Sequence, residues 1–172
     1  LQAVLDKYNA AYPELFNIVG YEKNRGLGLA LNFGLEHCRN KLVARMDTDD
    51  ISRLNRCEQQ IKTFEDNPKI DIVGGDIAEF INSPSETVAY RRVPKTNDAI
   101  LEYMKTRCAL NHVSVMFKKS SIISAGGYKD CFWNEDYYLW IRMWLKGCKF
   151  ANTGNVLVDV RTGEDMYARR GG

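Results

Sequence analysis

Residues 42–56 read LVARMDTDDISRLNR. A mostly apolar run passes directly into Asp47, Asp49 and Asp50, and a helix-like segment follows Ile51-Ser52. A short contiguous apolar run bounded by polar residues reads as a buried strand. Carboxylates crowded at its end repel one another, and a cation among them relieves that repulsion. The carboxyl ends of strands are also where open α/β sheets bind ligands.

The flanking sequence alternates in the same way. LQAVLDKYNAAYP spaces Leu1, Val4, Leu5, Tyr8 and Tyr12 as a helix that Pro13 ends. LFNIVGY (15–21) reads as a strand, EKNRGLG as a turn with Gly26 and Gly28 free to take positive φ, and 27–38 as a helix. Helix, strand, helix, strand is the rhythm of an α/β layer, with strands near Ile18, Val43 and Ile72 as parallel neighbours. Downstream, RLNRCEQQIKTFEDNP predicts a helix and IDIVGG a buried strand. DIAEFI and TVAYRRV predict an antiparallel pair around NSPSE. A helix capped by Thr96 or Asn97 follows, then a strand at 112–119, the turn Gly126-Gly127-Tyr128, an apolar helix from Glu135 to about Gly147, and a last strand in NVLVDVRTGE. The fold class is α/β with a mixed sheet.

With 172 residues, one domain with a sizeable core is expected. A net charge of +2 gives no argument for a nucleic-acid partner. No apolar run reaches the roughly 20 residues of a membrane span, and no signal peptide is visible. Cys38, Cys57, Cys108, Cys131 and Cys148 are dispersed with no C-x-x-C pair, which reads as reduced thiols in the cytosol. The chain begins at Leu1 and ends in RRGG, which suggests a piece of something longer.

Four readings of the acidic cluster compete. Helix capping by Asp50 or Ser52 explains one acid and not three. An EF-hand loop counted from Asp47 puts Ile51 and Ser52 where a ligand and a glycine belong, and a strand where a helix belongs. A haloacid-dehalogenase-type phosphatase would use Asp47 as nucleophile and Asp49 as acid/base, but its later acidic metal motif is missing. A sugar-nucleotide site needs an Asp-x-Asp at a strand end to hold Mg²⁺ or Mn²⁺, which in turn binds a diphosphate. The second half of such chemistry is found in CFWNEDYYLWIRMWLKG, where Glu135 and Asp136 open a helix full of Tyr, Leu and Trp. Acids are favoured near the positive helix end, but Asn134 suffices as a cap. An apolar wall beside a carboxylate raises its pKa and offers a ring, Trp133, for a sugar face.

The ordered motifs N-x-G-x-x-x-A-x-N, D-x-D-D, G-G-Y and E-D-x-x-L-W-x-R resemble the family-two inverting glycosyltransferases of the GT-A fold. Bacterial enzymes that build capsular or surface polysaccharides are the nearest likeness. The resemblance implies one domain over 1–172, a Rossmann-like mixed sheet flanked by helices. It also implies truncation, because the family's opening S-x-x-x-P-x-Y-N strand and D-D-x-S-x-D strand are not seen, so the first βαβ portion would be lacking. It implies that Asn24, Arg25, Gly26 and Ala30 border the nucleotide sugar, Arg25 reaching the diphosphate. Asp49 would ligate the metal, Asp47 would face ribose, sugar or metal, and Asp50 would support them. Asp136 would be the catalytic base with Glu135 beside it, and Arg169 and Arg170 would close on the diphosphate.

His112 reads either as an inert strand-edge histidine or as a group facing the acceptor cleft, and Arg91-Arg92 as a solvated strand edge. Absence of Q-x-x-R-W points to one sugar per event. The implied partners are a nucleoside-diphosphate sugar and a saccharide or lipid-linked saccharide acceptor, with self-association of the piece through an uncovered apolar surface. The implied place is the cytoplasm, at the inner face of the membrane. A non-catalytic GT-A-like binding module is the alternative from another class.

Overall fold

The computed structural model describes residues 2–131 and 134–163. Six helices and six strands follow in chain order as α1 (Gln2–Ala11), α2 (Leu27–His37), β1 (Leu42–Ala44), β2 (Ile51–Ser52), α3 (Arg56–Asp66), β3 (Ile72–Phe80), β4 (Thr87–Arg91), α4 (Asn97–Tyr103), β5 (Met116–Lys118), α5 (Lys119–Ser124), α6 (Glu135–Leu145) and β6 (Phe150–Arg161) among the described residues. One mixed sheet runs β1-β5-β3-β6-β2, with β4 hydrogen-bonded to β3 off that path. β3 and β6 are parallel; every other pairing is antiparallel.

Their sequences explain the centre of the sheet. Apolar and small residues fill β3, every position of which but Glu79 is buried, as expected of a strand covered on both faces. Gly74 and Gly75 leave no room for a Cβ: one would meet the Asn152 side chain, the other Leu157. On one face Ile72, Phe117, Ile122, Leu139, Trp140, Met143 and Phe150 form the main core. Leu139, Trp140 and Met143 are the inward stripe of α6, three and four residues apart. Thr96 caps α4 by accepting from the Ala99 N–H, as its position predicts.

Several expectations fail for physical reasons. Residues 15–21 form no strand, and no described strand lies alongside to supply a ladder; Leu15, Ile18, Val19 and Tyr21 are exposed. β1 and β3 point the same way but are not neighbours, because β5 lies between them and runs antiparallel to both. The 112–119 strand shrinks to β5, since His112–Ser114 form a 3₁₀ turn. Gly26 has positive φ, whereas Gly28 is helical and packs against the Lys129 backbone. β6 starts earlier than its apolar run, with Gly154 at φ 76 absorbing an irregular register against β3. Neither Asp50 nor Ser52 caps a helix: Ile51–Ser52 pair with β6, and α3 begins after Asn55.

Candidate active site

The acidic loop leaves β1 with its geometry fixed from below. Arg45, 7% exposed, donates from both Nη atoms to both Asp47 oxygens, at 2.9 and 2.7 Å. Its own backbone is held by two others, its N–H on the Val115 carbonyl and its carbonyl accepting from Arg56 Nη2 at 2.7 Å. Arg56 is 2% exposed and has no carboxylate partner among the described residues; the carbonyls of Arg45 and Val115 and the Gln60 side chain solvate it. Gln60 in turn donates to the Val73 and Ser114 carbonyls. An uncompensated buried cation is costly, so its place beneath the acidic loop is informative.

Asp50 accepts from the Arg161 N–H through Oδ1, while its buried Oδ2 finds no partner. Burial, and to a smaller degree the neighbouring Asp49 and Asp47 charges, push its pKa up to about 6. Asp49 is exposed and makes no hydrogen bond or ion pair with a described residue. No three His, Cys, Asp or Glu side chains converge as a complete metal cage among the described residues. The donor set still fits a hard cation that completes its shell with phosphate and water: one free carboxylate, one orphaned carboxylate oxygen, and mutual repulsion to relieve. Arg45 bonds both oxygens of Asp47, whereas Asp49 is the acid of the loop with no bond to a described residue.

Asp136 occupies the first turn of α6, half-buried, with Oδ2 3.9 Å from Cys108 Sγ. Burial raises its pKa, more than the N–H groups of Tyr137 and Asp136 at the helix start lower it; Glu135 adds to the rise. Asn134 makes no side-chain cap. Burial next to Asp136 also drives the Cys108 thiol up to about 11, so it stays protonated. His112 Nε2 lies 3.0 Å from the Tyr128 hydroxyl, with its ring edge-on to Trp140. Burial, with Arg45 nearby, pulls its pKa down to about 3. The neutral ring belongs to this aromatic cluster and does not join the carboxylates of the acidic loop. Burial raises the Tyr128 pKa, and the charges of Arg45, Asp136 and Glu135 all reach it.

The turn Gly126-Gly127-Tyr128 joins three elements. Arg142 of α6 donates to the carbonyls of Ala125 and Gly127. Asn32 of α2 donates to the Tyr128 carbonyl at 2.7 Å and accepts from its N–H at 2.8 Å. Gly126 and Gly127 have φ of 85° and 64°, and a Cβ on Gly127 would collide with Asn32. Arg142 and Asn32 lie within the quoted motifs, but neither was assigned a role from sequence; nor were Arg45, Arg56 and Gln60. A polar residue recurring on an otherwise apolar stripe was the available signal for Gln60 and Arg142.

The nucleotide-border residues are less integrated. Asn24 Oδ1 accepts from the Gly26 N–H at 2.9 Å, and Arg25 lies over the Tyr21 ring at 4.9 Å. Ala30 is exposed on α2. None of them makes a hydrogen bond to the acidic loop among the described residues. Trp133, Arg169 and Arg170 lie outside the described residues.

The fold, a mixed sheet with flanking helices, an acidic loop after β1 and a carboxylate in the first turn of α6, is that of a GT-A glycosyltransferase. The sequence pattern of the family described as Glycosyl transferase family 2 matches residues 1–132. The chain belongs to that family. It is 41% identical over 172 residues to the amylovoran biosynthesis glycosyltransferase AmsE of Erwinia amylovora, all of this chain and 63% of that protein. It is 42% identical over 151 residues to the UDP-Gal:alpha-D-GlcNAc-diphosphoundecaprenol beta-1,3-galactosyltransferase of Escherichia coli, 88% of this chain and 54% of that one. The chain therefore spans less than two thirds of the length of these curated relatives. The fold matches the mannosyltransferase PcManGT from Pyrobaculum calidifontis, solved with GDP-Man and Mn²⁺, with a TM-score of 0.70, 16% identity, and 98% of this chain and 46% of that one covered.

Proposed function

We propose that this chain, as a single GT-A catalytic domain, transfers a sugar from a nucleoside-diphosphate sugar to a hydroxyl of a saccharide or lipid-linked saccharide, with inversion and with a divalent metal. The setting is assembly of a bacterial surface polysaccharide on the cytoplasmic side of the membrane. No described helix is long and apolar enough to cross a bilayer. The observation that carries the reading is Asp136: a half-buried carboxylate of raised proton affinity at the start of α6, with Oδ2 against the Cys108 thiol. The neighbours' named substrates support the same class: GDP-Man in one solved structure and a lipid diphosphate sugar in one relative.

Asp136 takes the proton from the acceptor hydroxyl as that oxygen attacks the anomeric carbon from the face opposite the leaving diphosphate. A raised pKa makes it a better base at neutral pH. Glu135 positions the acceptor beside it. Asp47, fixed by Arg45, presents its remaining lone pairs to a ribose or sugar hydroxyl. Asp49, with Asp50, would hold Mg²⁺ or Mn²⁺, which would supply positive charge to a departing nucleoside diphosphate. Asn24, Arg25, Gly26 and Ala30 border the donor in this reading.

Asp136→Asn keeps the shape but cannot accept the proton, so kcat should fall by about 10²–10⁴ with donor KM nearly unchanged. Glu135→Gln should cost less. A phosphatase acting through Asp47 would show the reverse order on phosphate release, with Asp47→Asn abolishing it; Arg45's hold on both Asp47 oxygens argues against such a nucleophile. Near wild-type sugar transfer by Asp136→Asn would remove this assignment. A binding module would show donor affinity without transfer. By calorimetry, Mn²⁺ should bind more tightly with a nucleoside diphosphate present, and Asp49→Ala should abolish that coupling without altering the far-ultraviolet circular dichroism.

A further inference from the structure

Arg91, at the end of β4, is exposed on a strand edge as expected, and its guanidinium is tethered there. Its carbonyl accepts from Asn111 Nδ2 at 3.3 Å, and its own Nη2 donates to the Cys108 carbonyl at 3.2 Å. The same residue, Cys108, holds its thiol 3.9 Å from Asp136. Cys108 thus spaces a guanidinium from the carboxylate of the site. Arg91 forms no ion pair with a described carboxylate, yet its charge is felt by both Asp136 and Cys108. Arg107, one residue before Cys108, is also exposed, also without an ion pair among the described residues, and lies over the Tyr103 ring. Two exposed guanidinium groups without an ion pair among the described residues thus belong to residues next to Cys108, Arg91 by hydrogen bond and Arg107 in sequence.

One Nη bonded to a carbonyl leaves most of the Arg91 fork unused, and that fork suits a phosphate. Ordering a long side chain costs entropy; here the Cys108 carbonyl already holds it, and it stays exposed. In a sugar diphosphate the anion is one pyranose ring away from the nucleophilic hydroxyl. A cation set one residue's width from the base matches that layout.

We infer that Arg91, assisted by Arg107, is the subsite for the anionic diphosphate ester of the acceptor, so that the chain prefers a diphosphate-linked sugar to a neutral glycoside. This rests on the transferase reading above. In that reading the donor's diphosphate belongs to the acidic loop.

The test compares two acceptors of the same sugar with the intact chain: an α-diphosphate on a short alkyl lipid and the neutral alkyl glycoside. The wild type should favour the diphosphate, with its acceptor KM rising as salt is added. Arg91→Ala should raise KM for the diphosphate acceptor about 10- to 100-fold, leave the neutral glycoside within about twofold, and leave donor KM unchanged. Arg91→Lys, which keeps charge but not the fork, should fall between, and Arg92→Ala, whose guanidinium lies over Tyr90, should match the wild type. Equal losses on both acceptors, or none on either, would overturn the inference while the transferase reading stood. So would a wild type indifferent to the diphosphate. Transfer to neither acceptor would overturn both.

Discussion

Two regions of the chain have similarly apolar sequences and opposite fates. Between residues 2 and 26 no side chain is buried, and α1 contributes none to any core. Val4, Tyr8, Tyr12, Leu15 and Ile18 all remain exposed, Leu15 by 75%. Between residues 70 and 160 comparable residues are sealed: Ile72, Trp140 and Leu157 are 0% exposed. The difference is not propensity, since α1 has respectable helical spacing. It lies in whether a neighbouring element presents a complementary face, because most helical stability in proteins comes from packing an apolar face.

The sharpest way to break this contrast is truncation in each region. Trp140→Ala should destabilise by about 3–5 kcal/mol, as for large core aromatics elsewhere. Leu15→Ala should stay within about 0.5 kcal/mol, as at an exposed site. Urea unfolding of both checks this, and equal losses would show that the first region is packed in solution. Next in size is a pH effect confined to the closed region. The folded pKa of His112 is depressed below its unfolded value, so its contribution is present above about pH 6.5 and is lost as pH falls toward about 3. The stability slope should reach at most one proton there, about 1.4 kcal/mol per pH unit, and less because part of the residue is exposed. His112→Gln should remove that slope in urea midpoints measured between pH 7 and pH 4, and an unchanged slope would reject the assignment. The smallest expected effect is on association. We propose that the chain by itself self-associates through the Val4–Tyr21 surface. Light scattering should show a mass rising with concentration that Leu15→Ser with Ile18→Ser reduces; a strictly monomeric chain would count against it.

Legibility in the sequence followed the same divide. Where local pattern and burial agree, as in β3, α4 and α6, the elements were readable. The motif acids Asp47, Asp49 and Asp136 stood out in the sequence because carboxylates at those places demand explanation. Pairing was not readable: nothing local says that β5 inserts between β1 and β3, or that 15–21 lacks a strand partner. Nor could spacing show that Arg45 and Arg56 turn inward beneath the acidic loop, since arginine in a strand or on a helix normally reads as solvated. Arg91 is exposed at a strand edge as expected, but its partner, the Cys108 carbonyl, is a backbone atom, which no residue pattern reveals.

The clamp between Asn32 and Tyr128 has a consequence for biosynthesis. It joins residues 96 apart in sequence, and the bond from Arg161 to Asp50 spans 111. Closing loops of that length costs entropy before any contact repays it, and topologies rich in such contacts fold slowly. On the ribosome, at about 5–20 residues per second, the acidic loop must wait several seconds for the segment that anchors it. During that interval Asp50 lacks its β6 partner and the β3 edge lacks β6. The nascent chain leaves that edge unpaired until β6 has emerged, and the acidic loop gains its anchor only then.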